Sequence, residues 1–173
     1  MDRIGQQPVI LVGVSGSAAS LAALCWAAQE ARRRDAKLRV IQAWQPHPAR
    51  APYAGTGCAG RSALPSEAAA ADRLVAEVRR MLGTATGVVM SIDLIEGFAE
   101  RILAAESARA DLLVLGSGGQ SPVAQSDPLI VDRPIGPVVR ACLCHARCPV
   151  VIISPAMAAE LGLHEPAMAG HAS

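Results

Sequence analysis

The chain has 173 residues, of which 51% are apolar, and its 16 basic and 15 acidic residues leave a net charge of +1. Length and apolar content fit one domain with a substantial core. Because only four residues are aromatic and the charge is balanced, we expect neither base-stacking platforms for nucleic acid nor an electrostatic footprint for nucleic acid or an anionic membrane.

The five cysteines are odd in number, and three of them lie close together at positions 142, 144 and 148. That pattern is a poor disulfide framework, so reduced thiols are the simpler expectation. The N-terminal apolar run is broken by Gly13 and by the turn at 15–17, unlike a signal peptide. No unbroken apolar stretch reaches the ~20 residues that span a bilayer. We therefore expect a cytoplasmic protein without a membrane partner.

Short apolar runs alternate with amphipathic segments along the chain. Strands are predicted at 9–14, 37–44, 88–95, 111–115 and 150–153, and helices at 18–34, 66–82, 98–109 and 137–146. The third strand partly alternates in polarity, which favours a sheet edge. Residues 45–65 predict a long loop, and the tail at 154–173 predicts a frayed helix or a flexible segment.

This alternation predicts an α/β fold in which residues 8–153 form a single open parallel sheet of five strands with helices on both faces. In the Rossmann-like order 3-2-1-4-5, the serine- and glycine-rich turns that follow strands one and four meet at the carboxyl edge of the sheet. Ligands of such sheets bind at this point, where the strand order reverses. The sequence therefore places a candidate ligand site between these two turns.

Three motifs give this chain a family resemblance: VGVSGS at 12–17, DLLVLGSGG at 111–119, and Gly136 thirteen residues before the proline of CPVVII at 148–153. Together and in this order they resemble the universal stress proteins over about residues 8–153. The resemblance implies a stress-response regulatory domain of the adenine nucleotide alpha hydrolase type, usually a homodimer and often an ATP-binding protein.

The family's nucleotide motif is G-x-x-G, nine residues, and then G followed by Ser or Thr. Gly116 and Gly119 match the first pair and Gly136 matches the third glycine, where an absent Cβ lets backbone amides approach a phosphate. The helix after Gly136 would complete an anion site. The resemblance assigns ten positions to the nucleotide site: Gly13, Val14, Ser15, Ala43, Gly116, Ser117, Gly119, Gly136, Pro137 and Val138.

Three departures from the family pattern predict weakened or lost ATP binding. Sixteen residues separate Gly119 from Gly136, Pro137 replaces the Ser or Thr, and Ser15 replaces the aspartate of V-G-x-D-G-S. Pro137 has no amide to donate, although proline is also an ordinary first residue of a helix. A functional site for ATP, AMP or cyclic AMP is the alternative, with Mg²⁺ bound only together with a nucleotide. The proline-rich segment at 120–135 predicts an irregular flap whose charged residues either replace the lost contacts or lie on the surface.

The segment CLCHARC at 142–148 invites a zinc interpretation, but Cys142 and Cys144 lie about 200° apart on a helix, so one ion cannot collect them all. We expect structural cysteines and no metal site. The four histidines have no nucleophile in register, so we expect no enzyme, with slow ATP hydrolysis the most that the resemblance implies. The apolar last strand at 150–153 predicts a dimer interface.

Overall fold

A computed structural model describes residues 7–45, 67–83, 87–117 and 135–154, together with Met157 and Glu160. Five strands and four helices alternate in this part of the chain. In chain order they are β1 (Val9–Gly13), α1 (Ala18–Arg33), β2 (Lys37–Trp44), α2 (Glu67–Leu82), β3 (Met90–Glu96), α3 (Ala99–Glu106), β4 (Leu112–Gly116), α4 (Pro137–His145) and β5 (Val150–Ile153).

The described strands form one sheet in the order β3-β2-β1-β4-β5, and every neighbouring pair is parallel. In the middle of the sheet Val12 lies between Val40 and Val114. The predicted fold class, a single open five-stranded parallel sheet in the order 3-2-1-4-5, is confirmed. The third strand lies at one edge of the sheet, as its partly alternating sequence indicates, and β5 lies at the other edge.

Two apolar layers cover the faces of the sheet. On one face Val12, Val40 and Val114 pack in a buried cluster with Leu24 of α1 and Leu74 of α2. On the other face the cluster contains Leu11, Ile41 and Leu113 of the central strands, Leu103 of α3, and Val139 and Cys142 of α4. Each fully buried Leu, Ile or Val side chain contributes about 1.5–3 kcal/mol, so the two layers together hold the helices against the strands.

The buried face of α1 consists mainly of alanine, with Ala19, Ala22, Ala23, Ala27, Ala28 and Ala31 all buried. At helical spacing, Leu21, Leu24, Cys25 and Ala28 form one apolar stripe along α1. Only Leu24 and Ala28 of that stripe are buried, whereas Leu21 and Cys25 are partly exposed. Leu21 still packs against the core cluster. Most of the other buried positions are alanines, whose small side chains let this helix approach the sheet closely.

Several element boundaries differ from the predicted ones by one to three residues. The third strand begins at Met90, and the Val89 side chain before it is 62% exposed. Helix α3 is preceded by Phe98 as its N-cap and tightens into a 3₁₀ turn at Ser107–Arg109. The predicted loop at 45–65, except Gln45, the flap at 120–135, except Ile135, and most of the tail lie outside the described residues.

Candidate functional site

A cleft of about 320 Å³ opens at the carboxyl edge of the sheet, where β1 and β4 end. This volume lies at the small end of the range of ligand pockets, roughly 300–1,000 Å³. The residues that line it are Gly13, Val14, Ser15, Ser20, Ile41, Gln42, Ala43, Ala99, Leu103, Leu115, Gly116, Gly136, Pro137, Val138 and Val139. The cleft therefore lies where the strand order reverses, between the first turns of α1 and α4.

Eight of the ten positions assigned to the site from the sequence line this cleft: Gly13, Val14, Ser15, Ala43, Gly116, Gly136, Pro137 and Val138. Ser117 does not line the cleft, and its amide donates to the carbonyl oxygen of Ile153 over 2.9 Å, which ties the end of β4 to β5. Gly119 lies outside the described residues.

The cleft also contains residues that the sequence analysis missed. Ile41, Gln42, Leu115 and Val139 adjoin assigned positions along the chain, so extending each motif by one or two residues would have found them. Ser20 is one helical turn beyond the first motif. Ala99 and Leu103 of α3 belong to no motif, and only tertiary packing brings them to the cleft.

Serine hydroxyls organise the turn between β1 and α1. Ser17 caps α1, and its hydroxyl oxygen accepts from the amide of Ser20 over 3.2 Å. The buried Ser20 hydroxyl donates to the carbonyl oxygen of Ser17 over 2.9 Å and accepts from the amide of Ser15 over 3.2 Å. The exposed Ser15 hydroxyl lies 3.2 Å from that of Ser17. The Ser15 amide, the Ser20 amide and the Ser20 hydroxyl therefore all donate to acceptors within the turn, as donors in N-cap motifs do.

Gly116 has a structural reason to be glycine. A Cβ added to it would lie 2.5 Å from the amide nitrogen of Ser20 and 2.6 Å from the carbonyl oxygen of Ala19, and it would meet the carbonyl carbon of Ala19 as well. Ordinary carbon contacts begin near 3.5 Å. The close packing of β4 against the backbone of α1 thus suffices to require glycine here, independently of the phosphate contact that the sequence suggested.

Gly136 contrasts with Gly116, because a Cβ added to it would find nothing within 4 Å. Its φ of −57° and ψ of 155° are open to any residue, and as the N-cap of α4 it makes no side-chain hydrogen bond. Pro137 follows as the first helical residue and has no amide. The amides of Val138 and Val139 remain in the first turn, where helix geometry provides no intrahelical acceptor.

No formal charge occurs among the described residues that line the cleft. Ile41, Leu103, Leu115 and Val139 supply apolar walls, and all four side chains are buried within the core. Among these described lining residues, only Ser15, Ser20 and Gln42 have polar side chains. The fields that act on a ligand in this part of the site are therefore those of backbone amides and helix ends rather than of ionised side chains.

The cysteines of α4 and of the turn after it lie in different environments. Cys142 is buried in the core and Cys144 is exposed. Burial, with smaller contributions from Cys148 and the Glu100 carboxylate, raises the pKa of the Cys142 thiol to about 11. Burial also raises the pKa of Cys148. No group of three or more His, Cys, Asp or Glu that could hold a metal ion occurs among the described residues.

Comparison with known proteins gives one family and a consistent set of folds. A family model described as the universal stress protein family matches residues 8–154. Among curated proteins, none matches the chain. Within the part of the chain that the structure describes, no helix has both the length and the apolar character to cross a membrane.

Three solved structures illustrate the similarity. A universal stress protein from Lactobacillus plantarum is 21% identical, with a TM-score of 0.62, over 86% of this chain and 99% of that one. A universal stress protein in complex with cAMP is 23% identical, with a TM-score of 0.58, over 86% and 97%. A third, from Archaeoglobus fulgidus in complex with dAMP, is 19% identical, with a TM-score of 0.51, over 86% and 98%. At these identities the structures show a shared fold, and the family match over most of the sequence shows that the chain belongs to the universal stress protein family.

Proposed function

We propose that this protein is a non-catalytic, cytoplasmic regulatory module of the stress response, which acts as a homodimer and in which ATP binding is weakened or lost. One observation carries the proposal on ATP. A cleft is present at the carboxyl edge of the sheet, where ligands of such sheets bind, yet its described lining contains no charged residue, and Pro137 begins α4 without a hydroxyl or an amide.

The expected loss of affinity follows from the contacts that two residues cannot make. Pro137 removes a hydroxyl and an amide at the first turn of α4, and Ser15 replaces the family's carboxylate with a short neutral hydroxyl that lies 3.2 Å from the Ser17 hydroxyl. A hydrogen bond to a charged group contributes about 1.5–3 kcal/mol. Two such losses weaken ATP binding by roughly a hundredfold or more.

A functional adenine-nucleotide binding protein is the second candidate. The solved relatives in complex with cAMP and dAMP support it, as does the position of Ala43, which lines the cleft at the end of β2. In this case a nucleotide, with Mg²⁺ accompanying it, would use the amides of the first turn of α4. The two candidates differ in how tightly the unmodified protein binds ATP.

Calorimetric titration with ATP, AMP and cyclic AMP tests both candidates. The double variant Ser15→Asp/Pro137→Ser restores the carboxylate, the hydroxyl and the amide of the family pattern. We expect weak ATP binding by the unmodified protein and binding about a hundredfold tighter, or more, by the double variant. The matched control is Gln29→Glu, which adds one negative charge on the exposed side of α1. Equal or weaker binding of ATP by the double variant would reject the proposed loss.

We base the proposed dimer on the position of β5 in the sheet. This strand lies at the edge of the sheet, where its outer row of backbone donors and acceptors has no strand partner within the described chain. Val150, Val151 and Ile152 are only half-buried in the single chain. A second copy of β5 would pair with this edge and cover these side chains.

Val151→Lys tests the dimer by size-exclusion chromatography with light scattering. Its control is Ile92→Lys on β3 at the opposite edge, because Ile92 and Val151 are both partly buried against the same core cluster. We expect a monomer from Val151→Lys and a dimer from Ile92→Lys, with both variants shown to be folded by circular dichroism. An unchanged mass for folded Val151→Lys would exclude this interface.

A further inference from the structure

An open groove of about 470 Å³ runs along one face of α4. The described residues that line it are Ile135, Pro137, Arg140, Ala141, Cys144 and His145. The last five recur at the spacing of a single helix face, and the buried residues of α4, Val139 and Cys142, lie on the opposite face. The groove therefore brings together a thiol, a guanidinium and an imidazole, none of which lines the cleft.

We propose that Cys144 is a modification site at which the protein forms a mixed disulfide with a low-molecular-weight thiol that carries carboxylates. The co-reactant is the disulfide form of that thiol. The Cys144 thiol gives its proton to the solvent, and its sulfur attacks one sulfur of the disulfide. The old S–S bond breaks, a new S–S bond forms on Cys144, and the other half leaves as a thiolate, so the exchange needs no further oxidant.

Cys144 is the exposed thiol among the described cysteines. Cys142 is buried, and Cys25 and Cys148 are partly buried. Burial raises the pKa of each of these three other thiols, which reduces the fraction present as the reactive thiolate. A disulfide that arrives from the solvent should therefore react with Cys144 before it reacts with the other three.

Positive charge beside the thiol favours a reagent with carboxylates. Arg140 lies four residues before Cys144 on the same helix, a spacing at which two side chains are neighbours. Its guanidinium has a fork of donors that matches a carboxylate, and the ring nitrogens of His145 can form hydrogen bonds with a second one. Arg140 and the exposed Arg147 each carry a full positive charge, which together outweigh the roughly half negative charge at the C-terminal end of a helix.

The rest of the groove suits the size and the apolar part of such a molecule. Its volume of about 470 Å³ lies within the range of small-molecule sites, roughly 300–1,000 Å³. Ile135, Pro137 and Ala141 supply apolar contact surface. A thiol of the size of a short peptide can thus lie along α4 with its sulfur at Cys144 and a carboxylate at Arg140.

Glutathione disulfide, which has a net negative charge, is the probe for the modification. Mass spectrometry of the intact full chain in a Cys58→Ser background should show one adduct, which peptide mapping assigns to Cys144. The adduct should be removed by dithiothreitol and should not form with Cys144→Ser. No adduct on the parent, or a first adduct on another cysteine, would overturn the proposal.

The dependence of the rate on charge tests the role of the groove. At low ionic strength Arg140→Gln should slow the reaction with glutathione disulfide about threefold or more. It should not slow the reaction with cystamine, a positively charged disulfide. The matched control is Arg79→Gln, which removes the same charge from an exposed position of α2, and it should react as the parent does.

Arg140 and Arg79 are both exposed, so both variants should fold, and circular dichroism verifies this. An unchanged rate for folded Arg140→Gln, or an equal loss of rate with both disulfides, would show that Cys144 is no more than an exposed thiol. Either result would overturn the proposal.

Discussion

The two described glycines of the nucleotide motif should respond differently to the same substitution: Gly116→Ala should destabilise the fold, and Gly136→Ala should leave its stability almost unchanged. In Gly116→Ala the new methyl group would lie 2.5 Å from the amide nitrogen of Ser20 and 2.6 Å from the carbonyl oxygen of Ala19. Restoring an ordinary contact near 3.5 Å requires α1 and β4 to separate by about 1 Å. The neighbouring atoms belong to the backbone of α1, so no flexible side chain can move aside.

Overpacking of this kind costs about 1–3 kcal/mol, and we expect about 2–3 kcal/mol at Gly116 because rigid elements must shift. For a chain of 173 residues, each kcal/mol corresponds to about 2–4 °C in the melting temperature. Gly116→Ala should therefore lower the melting temperature by roughly 4–12 °C.

Gly136→Ala should change the melting temperature by no more than about 2 °C. An alanine Cβ there meets nothing within 4 Å. Alanine is a poorer N-cap than glycine, but it also restricts the unfolded chain, which offsets that loss by about 0.4–1 kcal/mol. Thermal unfolding followed by circular dichroism measures both variants. Equal effects at the two positions, or a Gly116→Ala protein as stable as the parent, would refute the packing argument.

Three further predictions concern the core and the cysteines. Ser107→Ala should lower the free energy of unfolding, measured in urea, by about 1–3 kcal/mol. The reason is that the buried Ser107 hydroxyl donates to the carbonyl oxygen of Ala104 over 2.7 Å and accepts from the amide of Arg147 over 2.9 Å. An unchanged free energy of unfolding would contradict this prediction. In a Cys58→Ser background, the exposed Cys144 should be the first cysteine to react with Ellman's reagent. A rapid phase of the reaction that survives Cys144→Ser would contradict the assignment of that phase to Cys144. Burial raises the pKa of Cys142 to about 11, above the ordinary value of about 8.5, so its contribution to stability is present below pH 8.5 and is lost as the pH rises towards 11. Urea midpoints across that range should fall more steeply for the parent than for Cys142→Ala, and parallel curves would contradict the prediction.

The fold could be predicted from the sequence because its signals are local. Each strand is a short apolar run, and the helices between the strands require parallel pairing. Strand order places the turns after β1 and β4 together, and this predicts the position of the cleft. Eight assigned positions line it for this reason.

Other features depend on distances that no local pattern contains. Ala99 and Leu103 reach the cleft because α3 packs over the ends of the strands. The alanine face of α1 and the close approach of Gly116 to Ala19 belong to the same contact, in which α1 packs against β4. A glycine in a motif does not indicate whether a ligand or a neighbouring backbone requires it, and only the structure distinguishes Gly116 from Gly136.

Native mass spectrometry of protein purified without added nucleotide tests the proposed function most directly, because one spectrum reports both the assembly and any bound small molecule. A homodimer with weakened ATP binding should give the mass of two chains without ATP. The Ser15→Asp/Pro137→Ser double variant, prepared in the same way, is the comparison and should carry more ATP than the parent. A parent protein that carries ATP on every chain, or that has the mass of a single chain, would contradict the proposal.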